Sequence, residues 1–194
     1  MGGSGPDSAS QAPGGAALAP RASDGRSMRE ALSAAAGGVR RYLFGLCGDW
    51  DQAEDIAQEA LLRAWANRER FDGRSEVATW VFSIARNCWI DRLRRKRTRP
   101  AEEPMDAHAA MAGNDPSPPH QAWRGELAGA IARAVGRLPA EQREALALRE
   151  SRGLTFRQIG QVLGIPVATA KSRVRYALLK LADDLEPFRA ELEP

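Results

Sequence analysis

The chain has 194 residues, enough for one medium domain or two small ones. Its formal net charge of +3 does not by itself indicate a nucleic-acid partner. No run approaches the roughly 18 apolar residues that span a bilayer, and the first 27 residues lack the apolar core of a signal peptide, so we expect a cytoplasmic protein without membrane insertion. Cys47 and Cys88 lie on apolar helical stripes without metal-ligand spacing, which favours free buried thiols over a disulfide or redox switch.

The charges are distributed in blocks of opposite sign. Residues 86–99 hold seven basic residues against one acid, Asp91, whereas residues 49–59 hold five acids and no base. Opposite blocks on one chain favour two different partners over a uniformly solvated surface.

The N-terminal part predicts a tail followed by a helical domain. Residues 1–27 are rich in Gly, Ala, Ser and Pro, and we expect them to be disordered. Residues 28–99 show helical spacing of apolar residues, although Gly37-Gly38 leaves open whether the first segment is one helix or two. Asp49 is a candidate N-cap of the next helix, and Ser75 or Thr79 of the third.

The C-terminal part predicts a second helical domain beyond a flexible linker. Residues 100–121 are rich in Pro, Ala and Asp without periodicity, which is typical of a linker. Helical spacing resumes over residues 122–185 and leaves a tail at 186–194. Since no sustained alternating strand pattern occurs, the sequence predicts an all-α fold of two small helical domains joined by this linker.

Residues 154–181 predict a helix-turn-helix within the second domain. Thr155 and Gln158 form a capping-box pattern, Gly164 supplies a left-handed turn residue, and Pro166 can open the next helix. That second helix is expected to bury Val167, Ala170, Val174, Leu178 and Leu181. The exposed face is basic and suits the major groove, although an ordinary helical hairpin with a solvated face is the alternative.

Three segments resemble bacterial RNA polymerase sigma factors of the extracytoplasmic-function (ECF) class. They are DQAEDIAQEALLRAW (51–65), TWVFSIARNCWIDRLRRKR (79–97) and LPAEQREALALRESRGLTFRQIGQVLGIPVATAKSRVRYALLKL (138–181). The resemblance covers roughly residues 28–185 and implies a region 2 domain at 28–99 and a region 4 domain at 122–185. It implies a protein that binds core RNA polymerase and directs promoter-specific initiation.

The resemblance assigns the helix at 51–65 to the clamp coiled coil of core RNA polymerase. The side chains expected to make this contact share one acidic and amide-rich face: Asp51, Asp55, Gln58, Glu59 and Leu62. A solvated acidic face without a partner is the alternative reading of the same residues.

The helix at 79–97 resembles the part of the family that recognises and opens the minus-10 promoter element. The loop at 71–76 resembles the pocket for a flipped base. The residues expected to contact this element are Asp72, Arg74, Ser75, Arg86, Asn87, Trp89, Arg92, Arg94, Arg95 and Arg97. Trp80 lies on the apolar stripe and is expected in the core, whereas Trp89 is consistent with either base stacking or packing.

The helix-turn-helix resembles the reader of the minus-35 element. Its candidate contacts are Thr169, Lys171, Ser172, Arg173, Arg175 and Tyr176. Arg173 is the first choice for a base edge, with Lys171 and Arg175 on phosphates. The chain departs from the family pattern at Arg157-Gln158, where a Glu pair is common, and at Gly160, where Ala is typical.

The sequence also bears on rival functions and on further partners. A stand-alone helix-turn-helix regulator is the alternative, but it leaves the acidic and Arg-rich helices without a joint purpose. No catalytic or metal-binding motif is present, so we expect no enzymatic activity, no metal and no cofactor. The family is commonly controlled by an anti-sigma protein, and nothing in the sequence identifies one, nor the promoter or the stimulus.

Overall fold

The chain folds as a helical protein in a computed structural model, which describes residues 25–98 and 119–188. The described residues form seven α-helices: α1 (Gly25–Cys47), α2 (Trp50–Ala66), α3 (Val77–Thr98), α4 (Pro119–Arg137), α5 (Ala140–Arg152), α6 (Phe156–Leu163) and α7 (Val167–Asp184). Single 3-10 turns occur at Arg68–Arg70 and Glu186–Phe188. These two ranges contain no strand, and the all-α fold class is confirmed.

Several expected segments fall largely outside the described ranges. These are the tail at 1–27, the linker at 100–121 and the tail at 186–194. Where the ranges overlap, α1 begins at Gly25 and α4 begins at Pro119, so each helix starts three residues inside a segment expected to be irregular. Both cysteines are buried and free, in agreement with the expectation from their positions.

The N-terminal half (25–98) is built from three mutually packed helices, α1, α2 and α3. Tyr42, Ile56 and Phe82 are fully buried where these helices meet. Helix α1 continues through Gly37-Gly38 without a break. Asp49 caps α2 as expected, because its Oδ1 accepts the backbone N–H of Gln52 at 3.0 Å.

The expected caps of α3 are wrong. The helix begins at Val77, so the capping position falls on Glu76 and neither Ser75 nor Thr79 occupies it. Thr79 lies inside the first turn and is buried.

The C-terminal half (119–188) contains the expected helix-turn-helix, formed by α6 and α7. Thr155 caps α6 in a complete capping box with Gln158. Gly164 ends α6 with φ of 68°, a left-handed conformation that costs glycine little. Local sequence signals therefore determine where α6 begins and ends.

The buried face of α7 differs from the expected one. Ala170 and Val174 are buried as expected, and Leu181 is half-buried, but Val167 and Leu178 are exposed by 42% and 51%. Ala177 lies in the core instead of Leu178. Val167 is the first residue of the helix, and Leu178 lies about 100° round the helix from Ala177, which rotates it toward solvent.

The two halves pack against each other. Helix α1 contacts α5, and α3 contacts α6. The buried residues of both halves form one continuous hydrophobic cluster. The sequence predicted two domains separated by a linker and did not indicate this contact.

Candidate functional site: polymerase and nucleic-acid interfaces

The expected docking residues lie together on the outer face of α2. Asp51, Asp55 and Gln58 are exposed, Glu59 is half-exposed, and Leu62 exposes 70% of its surface. Their spacing along α2 places them on one side of the helix. An exposed leucine bordered by carboxylates suits a partner that is basic and offers an apolar contact.

Hydrogen bonds within the chain engage part of this acidic face. Gln58 donates to Glu54 at 3.0 Å, and Arg40 pairs with the other oxygen of Glu54 at 3.0 Å. These two hydrogen bonds lower the pKa of the Glu54 carboxyl below its ordinary value. The Glu59 carboxylate pairs with Arg63 at 2.5 Å, and Arg63 also reaches Asp91 of α3 at 3.5 Å. The sequence did not reveal this link between α2 and α3.

The loop between α2 and α3 is folded by its own polar contacts. The Asp72 carboxylate accepts the backbone N–H of Arg74 at 3.0 Å and lies 3.4 Å from its guanidinium. Both side chains are exposed, and Gly73 between them has φ of 72°. The adjoining Phe71 is buried against Trp80, with ring centroids 5.2 Å apart, so Trp80 packs against the core as expected. Ser75 is half-exposed beside them.

Helix α3 carries a basic face along its C-terminal half. Asn87, Arg94 and Arg95 are exposed, and Arg92 is half-exposed. A concave surface at the end of the helix is lined by Arg92, Arg95, Lys96 and Thr98. Lys96 was not among the expected contacts, although its place in the basic run could have indicated it. Arg97 belongs to α3, but its side chain lies outside the described residues.

Trp89 is half-buried and packs against the hydrophobic cluster that the two halves share. Part of its ring therefore packs against other side chains, and part remains accessible to solvent. Cys88 beside it is buried, and burial raises the pKa of the Cys88 thiol above its ordinary value, with nearby Arg63 acting in the opposite direction.

Arg86 lies at the contact between the halves. Its Nε donates to Glu144 Oε1 of α5 at 2.9 Å, and the Tyr42 hydroxyl donates to the same oxygen at 3.2 Å. The Arg86 and Glu144 side chains are 28% and 16% exposed. Burial, with a smaller effect of the Glu144 charge, raises the pKa of Tyr42 well above its ordinary value. Arg86, one of the basic residues expected to contact the minus-10 element, is thus paired with a carboxylate of the other half.

The expected minus-35 residues lie along the first three turns of α7. Lys171, Arg175 and Tyr176 are exposed. Thr169 and Ser172 are half-buried, and the Ser172 hydroxyl donates to the Thr169 carbonyl at 3.0 Å. The Lys171 ammonium lies 6.0 Å from the centre of the Phe156 ring. The exposed members form a compact basic surface with one aromatic ring.

Arg173 has a fixed partner that the sequence did not indicate. Its Nη2 lies 2.6 Å from the Glu141 carboxylate at the start of α5, and its side chain is 22% exposed. Glu141 itself is 71% exposed. The pair ties α7 to the first turn of α5, and no second carboxylate in the described ranges pairs with Arg173.

Gly160 occupies a position that is sterically tight. A Cβ there would lie 2.8 Å from the Ile165 carbonyl oxygen, closer than ordinary contacts allow. The Ile165 N–H in turn donates to the Gly160 carbonyl at 3.0 Å. The turn of the helix-turn-helix therefore closes more tightly on glycine than it would on alanine. The neighbouring Arg157 is exposed on α6.

Neither a metal cluster nor a membrane span occurs in the parts of the chain that the structure describes. No group of three or more His, Cys, Asp or Glu side chains there is arranged to hold a metal ion. No helix in the same ranges is long and apolar enough to cross a bilayer.

Two family models match the two halves. Residues 33–99 match Sigma-70 region 2, and residues 134–183 match Sigma-70, region 4. These are the same helices that carry the acidic face, the basic face and the helix-turn-helix. The fold and its faces thus define a sigma-type transcription initiation protein.

Similar proteins show which class of sigma factor this chain belongs to. The ECF RNA polymerase sigma factor EcfG of Rhodopseudomonas palustris is 36% identical over 156 residues, which cover 80% of this chain and 83% of the relative. SigW of Bacillus subtilis is 32% identical and covers 76% of this chain and 84% of that protein. The chain belongs to the ECF RNA polymerase sigma factors, and it acts in promoter-specific transcription initiation.

Solved structures support the fold. The sigma factor RpoE from Bartonella quintana, solved with the anti-sigma factor NepR, has a TM-score of 0.62 at 24% identity and covers 83% of this chain and 98% of its own. CnrH, solved with the cytosolic domain of CnrY, has a TM-score of 0.61 at 18% identity, with 85% and 91% covered.

Proposed function

We propose that the faces of the two halves divide the work of promoter recognition. The acidic face of α2 binds the clamp coiled coil of core RNA polymerase. The basic face of α3, with the loop at 71–76, contacts and opens the minus-10 element, and α7 contacts the minus-35 element. The observation that carries this assignment is that α2 exposes acidic and apolar groups, whereas α3 and α7 expose basic ones. Faces of opposite charge suit a protein partner and a nucleic acid at once.

The contacts to the minus-10 element must compensate for strand opening. Stacking in duplex DNA is worth about 1.4 kcal/mol per base-pair step, so opening several steps needs several contacts. Exposed Arg94 and Arg95 with half-exposed Arg92 supply phosphate contacts along the concave end of α3. An accessible edge of Trp89 would add roughly 1–3 kcal/mol if a base stacks on it.

The contacts to the minus-35 element divide between Arg173 and its exposed neighbours. The pair with Glu141 holds the Arg173 guanidinium in one direction, which reduces the ordering cost of a base contact. Exposed Lys171 and Arg175 suit phosphates, whose positions fix the helix on the duplex. Tying the two DNA-binding halves to one chain raises the effective concentration of each at the promoter.

We also propose that the polymerase, and not this chain, carries out the chemistry of transcription. This chain then acts in the cytoplasm without a catalytic site or cofactor of its own. The family resemblance also implies control by an anti-sigma protein. A stand-alone regulator is disfavoured because it gives the acidic face of α2 no partner.

A transcription assay tests the proposal. Core RNA polymerase from the source bacterium is combined with the full chain on sheared genomic DNA, and the RNA starts are mapped. We expect starts that share two spaced upstream motifs and disappear without the protein. Binding to duplex DNA without binding to core polymerase, and without discrete starts, would contradict it.

A further inference from the structure

A cavity lies at the contact between the halves, where α1 and the start of α2 face α4 and α5. Its volume is about 280 Å³. A water molecule takes up about 30 Å³ in the liquid, so the cavity has room for about nine waters or one ligand of about a dozen non-hydrogen atoms. Its walls are almost entirely apolar, and they include Phe44, Gly45, Val135, Leu146 and Ala147. A cavity with this lining suits a small and mostly apolar ligand.

Helices α1 and α5 approach each other closely along one wall of this cavity. Gly45 faces Ala147 so closely that a Cβ at position 45 would lie 3.0 Å from the Ala147 Cβ. Arg41, one turn before Gly45, donates from Nε and Nη2 to the Ser151 carbonyl at 3.2 and 2.8 Å. All four residues line the cavity. The wall on this side is therefore held by close packing and by hydrogen bonds, as a preformed site requires.

An aromatic pair forms another wall of the cavity. The rings of Phe44 and Trp50 are stacked, with centroids 4.1 Å apart and planes 11° from parallel. Trp50 is 46% exposed, so the pair extends from the cavity to the protein surface. Flat ligands suit such a wall, because aromatic groups gain from offset and edge contacts beyond the area they bury. The pair therefore favours an aromatic ligand over an aliphatic one.

Two arginines at the cavity favour a carboxylate on the ligand. Arg143 Nη2 donates to the Leu138 carbonyl at 3.3 Å, but the Arg143 Nε is buried and has no hydrogen-bond partner. A buried donor without a partner is destabilising, so a ligand that supplies an acceptor there gains affinity. Neither Arg143 nor Arg41 pairs with a carboxylate in the described ranges. Glu150 is exposed at the same cavity and leaves its lining with one excess positive charge, which suits a monoanion.

We propose that this cavity is a binding site for a small aromatic monocarboxylate. The ring of the ligand lies against Phe44 and Trp50, and its carboxylate accepts a hydrogen bond from Arg143 Nε. The proposal goes beyond the proposed function, because the cavity contains none of the residues assigned to the polymerase or the promoter. Its test measures binding of the ligand alone, so its failure and the failure of the proposed function are distinguishable.

Calorimetric titration of the full-length chain with 1-naphthoate tests the site, and 1-naphthamide is the matched neutral ligand. The two compounds share one ring system and nearly one shape, and only the naphthoate carries a charge. We expect saturable one-to-one binding of the naphthoate. The amide should bind at least about tenfold more weakly, because a hydrogen bond to a charged group contributes at least about this factor.

Two results of this titration would overturn the proposal. Equal affinities for the two compounds would show an apolar cavity that does not recognise a carboxylate. Absence of saturable binding of the naphthoate would show that the cavity is a packing defect or is filled by another part of the chain.

A pair of arginine variants tests the carboxylate contact. Arg143→Gln should weaken naphthoate binding at least about tenfold, because it removes the charge and the Nε donor. Arg149→Gln is the control, since Arg149 lies on the same helix and also donates to a backbone carbonyl, that of Leu154 at 2.7 Å, but does not line the cavity. Equal losses in the two variants would overturn the role of Arg143.

A pair of variants on α4 tests the location without changing any charge, and it decides the question even if Arg143→Gln does not fold. Val135→Phe should fill part of the cavity and weaken binding of the naphthoate at least about tenfold, because a closely packed site has no spare volume. Ile131→Phe is the control, since Ile131 lies one turn earlier on α4, is 39% exposed and does not line the cavity. Unchanged binding by a folded Val135→Phe chain, or an equal loss in the control, would overturn the proposal.

Discussion

Leu62 provides the most direct test of the docking face, because it is a large apolar side chain that the fold itself leaves exposed. It exposes 70% of its surface beside Glu59 on α2. Burial of such a side chain in a complex contributes binding energy, while its removal takes nothing from the core. The change we consider is Leu62→Ala.

The expected effect follows from the area available for burial. Leucine to alanine removes three carbons worth about 0.8 kcal/mol each when fully buried, or about 2.4 kcal/mol in total. Since 70% of the residue is exposed before docking, about 1.7 kcal/mol is available to the interface. This corresponds to roughly 17-fold weaker binding.

The assay is equilibrium binding of labelled full-length chain to core RNA polymerase, paired with urea unfolding of the free chain. We expect the dissociation constant to rise while the unfolding midpoint stays unchanged or rises slightly, because alanine favours helix. Leu93→Ala is the control, since Leu93 is also exposed but lies on α3. Unchanged binding by Leu62→Ala, or an equal loss in the control, would refute the assignment of this face.

Further changes test the other faces. Asp55→Lys with Glu59→Lys should abolish binding to core polymerase while the far-ultraviolet circular dichroism stays helical, because both acids lie on the docking side of α2; persistent binding would mean that the face is misassigned. Arg173→Ala should cost about 1–3 kcal/mol of selectivity at one promoter position, measured with a set of single-base promoter variants. Gly164→Ala should lower the free energy of unfolding by about 1 kcal/mol, because φ is 68° and an added Cβ would meet no neighbouring atom within 4 Å, so the cost is backbone strain alone. Gly164→Asn should cost less, and equal stability of all three proteins in urea would contradict this strain. The raised pKa of Tyr42 favours its neutral form in the folded state, so stability should be retained below about pH 10 and fall as the pH rises above it. Tyr42→Phe should lose less stability over the same alkaline range, as measured by urea unfolding at several pH values.

Sequence patterns predicted the local structure where the cause is local. The capping box of Thr155 and Gln158 and the left-handed Gly164 each depend on residues a few positions apart, and all were confirmed. The buried stripe of α7 was partly wrong because helical spacing alone does not distinguish Leu178 from Ala177 on adjacent sides of the helix. A small alanine packs closely against neighbouring helices, and that preference depends on partners that are distant in sequence.

The long-range contacts around the candidate interfaces could not be predicted from the sequence. Glu144 lies 58 positions from Arg86 and 102 from Tyr42, and no local pattern relates them. Arg173 and Glu141 are similarly separated by 32 positions. Charged residues read as solvated or DNA-binding in the sequence are therefore partly paired within the fold, and their roles on polymerase and promoter stay predictions.

The close approach of Gly45 to Ala147 gives the packing of the two halves a signature that can be read in other sequences. A larger side chain at position 45 would meet Ala147 before α1 and α5 could pack. Among chains with this fold, a small residue at both positions therefore marks those whose halves can pack this closely. A bulky residue at either position marks chains in which α1 and α5 must pack further apart.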